Sequence, residues 1–206
     1  MLGYTDGGFM KRVIFILILS VFILATTVHF VSNVAAQQVV PQDTSQAAAE
    51  LTLTFTRQSG SASNQYAIWI EDANGQHVKT LYASRWTANG GYARRPTSIP
   101  LWVKQSGLAS LTRVQVDAVS GVTPRTGSFS YTWDGTNSNG VAVPAGDYVI
   151  ILEATLRWEN QVYYRAPITL GQGAQSPQVS VEYVSGERDT TTERTMISDV
   201  RVRVLR

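Results

Sequence analysis

Residues 131–148 read Tyr131-Thr132-Trp133-Asp134-Gly135-Thr136-Asn137-Ser138-Asn139-Gly140-Val141-Ala142-Val143-Pro144-Ala145-Gly146-Asp147-Tyr148, and this stretch decides the fold. Upstream, Ser128 to Trp133 alternates small polar and aromatic side chains. Downstream, Tyr148, Ile150, Leu152, Ala154 and Leu156 fall on one face of a strand running to Arg157. Between them crowd Asp, Asn, Ser and Gly, the residues that turn a chain. Gly140 and Gly146 suit backbone at positive φ, and Pro144 sets φ ahead of the second strand. The stretch is therefore read as a β-hairpin with a long loop.

Strand signals continue in both directions. Leu51, Leu53 and Phe55 alternate with threonines, the period of a half-buried strand. Tyr66 to Glu71 and Val78 to Tyr82 flank Asp72-Ala73-Asn74-Gly75, where Asn-Gly favours a tight hairpin because both residues tolerate positive φ. Arg113 to Asp117, Gln161 to Ile168, Gln178 to Tyr183 and Ser198 to Leu205 are the remaining strand candidates, with a turn at Glu159-Asn160 and a polar loop at Gly186 to Arg194. Only Ile99 to Ser106, carrying Leu101, Trp102 and Val103, suits a short helix. About nine strands, without helical period, internal repeat or second domain, imply an all-β, antiparallel β-sandwich over residues 50–206.

Composition narrows the function classes. The 206 residues are 44% hydrophobic and 16% charged, a globular balance. A net charge of +2 with no Lys/Arg cluster gives no basic stripe for nucleic acid. Cysteine is absent, which removes disulfides, thiol nucleophiles, iron–sulfur ligands and a lipoprotein attachment site. His29 lies in the leader and His77 is alone in the body, so a multi-histidine metal site is ruled out. A histidine triad would have to run through His77, beside a hairpin turn and with no activated serine in evidence.

Lys11-Arg12 precede an apolar run from Val13 to Ala25 broken only by Ser20, and Val34-Ala35-Ala36 offers the small residues of a signal-peptidase site. Residues 1–36 are accordingly expected to be a secretory signal peptide, with Met10 as the natural start. Thr26, Thr27 and His29 interrupt the run before the roughly 20 apolar residues of a spanning helix, so the membrane is met only if the leader is retained. Residues 37–49 are polar and aperiodic, a flexible lead-in. The expected location is extracytoplasmic, in a periplasm or secreted.

Trp133-Asp134-Gly135, Gly140 and Pro144-Ala145-Gly146-Asp147-Tyr148 resemble the immunoglobulin-like domain of the flagellar hook-capping protein and its relatives in secreted bacterial proteins. That resemblance implies an immunoglobulin-like sandwich in which the tryptophan ends one strand and the tyrosine of the next packs inward. From about Leu51 to Leu205 the chain also resembles a bacterial family of predicted periplasmic proteins of unknown function. The shared elements are the Tyr66-to-Leu81 hairpin, Pro100 to Gly107 with Trp102, the loop Asp117-Ala118-Val119-Ser120-Gly121-Val122-Thr123-Pro124-Arg125, and the hairpin at Trp133. Members of that family often accompany extracytoplasmic flavin and iron-linked redox systems.

Within that loop, Asp117 to Thr123 is similar to the acceptor segment of proteins flavinylated outside the cytoplasm. There an Asp and a short spacer precede Ser/Thr-Gly-Ala-Ser/Thr, and the last hydroxyl carries FMN through a phosphoester. The similarity implies Asp117 as the leading acid, Ser120-Gly121 as the bend and Thr123 as the covalent acceptor, in an accessible loop between strands. Glycine lets backbone approach a transferase closely, Pro124 holds Thr123 extended, and Arg125 offers charge to a phosphate. Val122 stands where alanine is usual, and Arg125 where Ser or Thr is usual. Tyr131 and Trp133 are the aromatics placed to stack on a flavin ring, beside their packing duty. The chain is then a non-enzymatic accessory protein, its partners a flavin transferase or a membrane redox protein. The alternative is a cofactor-free structural or protein-binding module of the hook-cap kind.

Other chemistry is sparse. Asp134, Asn137 and Asn139 form an oxygen-rich loop, but the spacing is not that of an EF-hand and carboxylates are too few for a metal. Glu71, Asp72, Glu153 and Glu182 are the acids from which a hydrolytic pair would be drawn. Glu153, on an otherwise apolar strand, is expected to face outward or to pair in a salt bridge. Trp158, Tyr163 and Tyr164 are candidates for a partner surface, because adjacent Tyr163 and Tyr164 point to opposite faces and at least one is expected in solvent.

Overall fold

The computed structural model describes residues 50–58, 65–123, 125–156, 159–186, 194 and 196–205. The expected leader and lead-in, Pro124 and Trp158 lie outside the described residues. Strand β1 (Leu51–Arg57) buries Leu51, Leu53 and Phe55 and turns its threonines the other way, as the alternation requires. The remaining strands are β2 (Gln65–Asp72), β3 (His77–Ser84), β4 (Ser120–Gly121), β5 (Gly127–Trp133), β6 (Gly146–Thr155), β7 (Gln161–Leu170), β8 (Ser180–Val184) and β9 (Ile197–Val204). They form a three-stranded sheet in the order β5-β1-β9 and a six-stranded sheet in the order β4-β3-β2-β6-β7-β8. Every pairing is antiparallel except that of β3 with β4, which is parallel and two residues long.

The sheets meet over one large apolar core. Leu51, Phe55, Trp133 and Val202 reach it from the smaller sheet, and Tyr66, Ile68, Ile150 and Leu152 from the larger. This is the sandwich arrangement the strand pattern implies, and the protein is all-β in class. Both hairpins form where expected. In the first, only Gly75 takes positive φ, at +74°, while the Asp72 carboxylate accepts the backbone N–H groups of Asn74 and Gln76. In the second, the buried Trp133 indole donates to the Thr136 carbonyl at 2.7 Å and meets the Tyr148 ring edge-on at 5.4 Å. Tyr148 thus packs inward. Asn137 Oδ1 accepts the N–H groups of Asn139 and Val141, which fixes the loop around Gly140 at φ +74°. Open space surrounds the position a Gly140 Cβ would take, so Gly140→Ala tests backbone strain alone. It should lower stability by about 1 kcal/mol, read from the urea midpoint.

The connection from β3 to β5 departs from expectation. It carries helical turns at Thr87–Gly91 and Tyr92–Arg94, the anticipated helix at Pro100–Gln105, a further turn at Leu108–Ser110 and a second helix at Arg113–Val119. Arg113 to Asp117 is therefore helical and not a strand. Val114 and Val116 alternate as in a strand, yet Val114 is 79% exposed and only Val116 is buried. The deciding signal is Thr112-x-x-Gln115: the Thr112 hydroxyl accepts the Gln115 N–H, and the Gln115 side chain accepts the Thr112 N–H at 2.8 Å.

These helical segments cover the second face of the larger sheet. Ala67, Trp69, Ala83, Ile99, Trp102, Leu108, Val116 and Ile151 form a separate core beneath them. Strand β2 is consequently buried on both faces. The odd- and even-numbered residues of β6 serve different cores, with Ile150 and Leu152 in one and Ile151 in the other.

Candidate functional site

The suspected acceptor segment lies at the free-standing end of the helical cap, where the chain returns to the larger sheet. After the Arg113–Val119 helix, Ser120 pairs with Ala83 and Gly121 with Ser84 in the short parallel bridge. Tyr82 and Ser84 project on the same side of β3, two residues apart. The Tyr82 phenol donates to the Gly121 carbonyl at 3.1 Å, and the Thr123 hydroxyl donates to Ser84 Oγ at 2.9 Å. Ser84 is fully buried and also accepts the Tyr66 N–H at 3.0 Å. A Cβ on Gly121 would stand 2.8 Å from the Tyr82 ring, so a glycine is what allows the chain to lie this low. Thr123 is half-buried, and Val122 and Arg125 beside it are exposed. The Ser120 hydroxyl is buried with no hydrogen-bond partner among the described residues.

Behind this edge stands an aromatic cluster. Tyr66 and Tyr82 stack with centroids 4.7 Å apart, Tyr131 lies 5.1 Å from Tyr82, and the Tyr66 and Tyr131 hydroxyls are 2.7 Å apart. Phe55 closes the group edge-on to Tyr66 at 5.4 Å. Burial raises the pKa of all three phenols, Tyr131 to about 12, so they are neutral hydrogen-bond donors at physiological pH. The buried Arg57 guanidinium faces Tyr66 and Tyr82, its own pKa lowered by burial.

Of the suspected site residues, Ser120, Gly121 and Thr123 come together here and Asp117 does not. Asp117 sits on the exposed side of its helix, paired with Arg113 at 3.7 Å one turn back. Ser120-Gly121 is a strand bridge and not a bend, so the segment is a strap held against β3. Of the two aromatics expected nearby, Tyr131 belongs to the cluster and Trp133 packs in its hairpin. The sequence reading missed Tyr82 and Ser84, whose spacing on one strand face was the available signal.

Glu153 also departs from expectation. It is 0% exposed, on the β6 face that looks into the helical cap. Its two oxygens accept the backbone N–H groups of Leu101 at 3.1 Å and Trp102 at 2.7 Å. Burial raises its pKa to about 7, while those two bonds, the neighbouring Tyr163 phenol and the charge of Arg165 pull it down. Two residues on, Thr155 Oγ1 accepts the Ile99 N–H at 2.8 Å and donates to the Thr97 carbonyl at 3.0 Å. Glu153 and Thr155 thus pin residues 97–102, including Ile99 at φ +43°, an uncommon setting for a β-branched residue.

The other acids are engaged one by one. Glu71 accepts the Trp69 indole N–H at 2.8 Å, Asp72 closes its turn, and Glu182 pairs with Arg165 at 2.8 Å. Asp134 is exposed; slight desolvation works against ionisation, but bonds from Thr136 and Lys79 hold its carboxyl down at about 2. With Asn137 satisfying its own loop, little of that oxygen-rich stretch remains for a cation. His77 meets Thr80 Oγ1 at 2.8 Å, and burial lowers its pKa. A cleft of about 420 Å³ between the two hairpins is lined by Asp72, His77, Asn137 and Tyr148 among others, and these polar groups are those already committed to local bonds. Tyr163 and Tyr164 are both buried, contrary to the expected exposed row. Tyr163 bonds Gln161 and Tyr164 bonds the Ile197 carbonyl.

Residues 46–188 match the model of a family described as predicted periplasmic protein (DUF2271). No curated protein and no solved structure matches the chain. Among the described residues, no helix is long and apolar enough to cross a membrane.

Proposed function

The chain belongs to the DUF2271 family of predicted periplasmic proteins, and on that premise we propose that it is a non-enzymatic accessory protein of an extracytoplasmic redox system, carrying FMN as a phosphoester on Thr123. One observation carries the reading. The hydroxyl that the acceptor-like string singles out is half-buried at a sheet edge, directly beside Tyr82 and its aromatic neighbours.

The residues present fit such a group. Thr123 supplies an alcohol within a segment whose flanking residues, Val122 and Arg125, face solvent. Attachment breaks the Thr123 O–H bond and forms an Oγ–P bond to the flavin-side phosphate of a flavin dinucleotide donor. AMP is displaced, and the proton passes to the transferase or to water. Gly121 keeps the backbone low against Tyr82, and Arg125 offers a positive charge near the phosphoester. Neutral Tyr82, with Tyr66 and Tyr131 behind it, backs the strap with packed aromatic rings and adds no charge. A bound flavin supplies one- and two-electron chemistry, and the chain supplies its placement. The partners on this reading are a flavin transferase and a membrane redox protein.

The test is the intact mass of protein exported from cells that contain an extracytoplasmic flavin transferase, beside a Thr123→Ala control. The expected result is a gain of FMN minus water that the substitution abolishes. An unmodified mass, with a positive-control acceptor protein modified in the same cells, refutes the reading. A colourless, self-associating protein would then favour the assembly module that the packed Trp133–Tyr148 hairpin resembles.

A further inference from the structure

We propose that the Thr123 acceptor is latched against the sheet edge in the folded protein by two hydrogen bonds between the strap and β3, and that modification weakens the latch. This rests on the reading of Thr123 as the acceptor. Four groups make the latch, two on the strap and two on β3. Thr123 donates to Ser84 Oγ at 2.9 Å, and Tyr82 donates to the Gly121 carbonyl at 3.1 Å. Each hydroxyl has one proton to give, and both donors spend it across the joint between strap and strand.

A transferase must reach Thr123 Oγ, and in the latched state that oxygen points at a buried serine. Release is inexpensive, because only two residue pairs join β4 to β3 and β4 is the last strand of its sheet. Esterified Thr123 has lost the proton it gives to Ser84. The modified strap therefore lacks one of the two bonds of the latch, and the flavin-bearing segment leaves the sheet edge more readily, available to an electron-transfer partner.

The experiment uses the full exported chain purified without flavin, a purified flavin transferase and flavin dinucleotide, in wild type, Tyr82→Phe and Ser84→Ala. Tyr82→Phe keeps the ring and removes only the hydroxyl that bonds Gly121; Ser84→Ala removes the acceptor of the Thr123 hydroxyl. Two readouts are taken: the initial rate of mass gain, and amide hydrogen exchange of Gly121 and Val122 before and after modification. The latch predicts that Tyr82→Phe raises both rates about fivefold, the factor one net hydrogen bond represents. It also predicts that the modified wild type exchanges as fast as Tyr82→Phe does before modification. Equal modification rates in wild type and variants overturn the latch and leave the acceptor reading standing. Modification of no variant, with a control acceptor modified, refutes the acceptor reading. Exchange rates unchanged by either substitution overturn the latch whatever the mass shows.

Discussion

Replacing Glu153 by alanine should destabilise the protein by about 3 kcal/mol near pH 6, the largest effect expected from any carboxylate in the chain. The side chain is fully buried and satisfies the N–H groups of Leu101 and Trp102 at the start of a helix. Without it two backbone donors lose their acceptor, and a cavity opens under the helical cap. Glu153→Gln retains one acceptor and the volume, and separates charge from shape. Burial raises the folded-state pKa to about 7, above the unfolded value of about 4.3. The folded chain therefore holds the proton more tightly. The resulting stabilisation is complete below about pH 4 and is lost as pH rises through 7, at most about 4 kcal/mol in all. Urea midpoints taken between pH 5 and pH 8 should fall more steeply for wild type than for Glu153→Gln, and the variant should be the more stable of the two at pH 8. Parallel pH profiles would show that Glu153 does not titrate in this range.

Trp102→Ala should cost more, about 3–5 kcal/mol. The indole is 0% exposed, forms the centre of the second core and donates to Thr80 Oγ1 at 3.0 Å. It is the largest apolar side chain joining the Pro100–Gln105 helix to the sheet, so its loss loosens the whole cap. The loss should appear first as faster amide exchange over residues 97–121, with β1 and β9 protected until global unfolding. Trp102→Phe, which fills most of the volume without the donor, should cost about half as much. A uniform loss of protection across both sheets would show that the cap and the sandwich open as one unit.

The two hairpins were legible because they are written locally. Asn74-Gly75 and the loop around Gly140 specify their own turns, and Trp133 with Tyr148 marks the strand ends. The alternation in β1 and β6 likewise revealed the main core. What escaped was the second layer. Its helical pieces are six or seven residues long at most, too short for a 3.6-residue period to rise above chance. Strand alternation alone puts one face of β6 in solvent, and only that layer places Glu153 in the interior. Tyr163 and Tyr164 were misjudged by the same logic. The Thr112-Gln115 capping box was the one local sign that the Arg113 segment is helical. The acceptor string is legible from a resemblance, but its latch is not, since Ser84 and Thr123 meet only through a parallel bridge that pairs residues 37 apart in sequence, Ala83 with Ser120 and Ser84 with Gly121.

The central claim is decided by one tryptic peptide. Cleavage after Arg113 and Arg125 releases Val114 to Arg125, which contains Asp117, Ser120, Gly121 and Thr123. Fragmentation of this peptide from protein exported beside a flavin transferase locates any phosphoester to a single oxygen. The account predicts FMN on Thr123, with Ser120 unmodified. An unmodified peptide recovered in full, from cells in which a control acceptor is flavinylated, would contradict it.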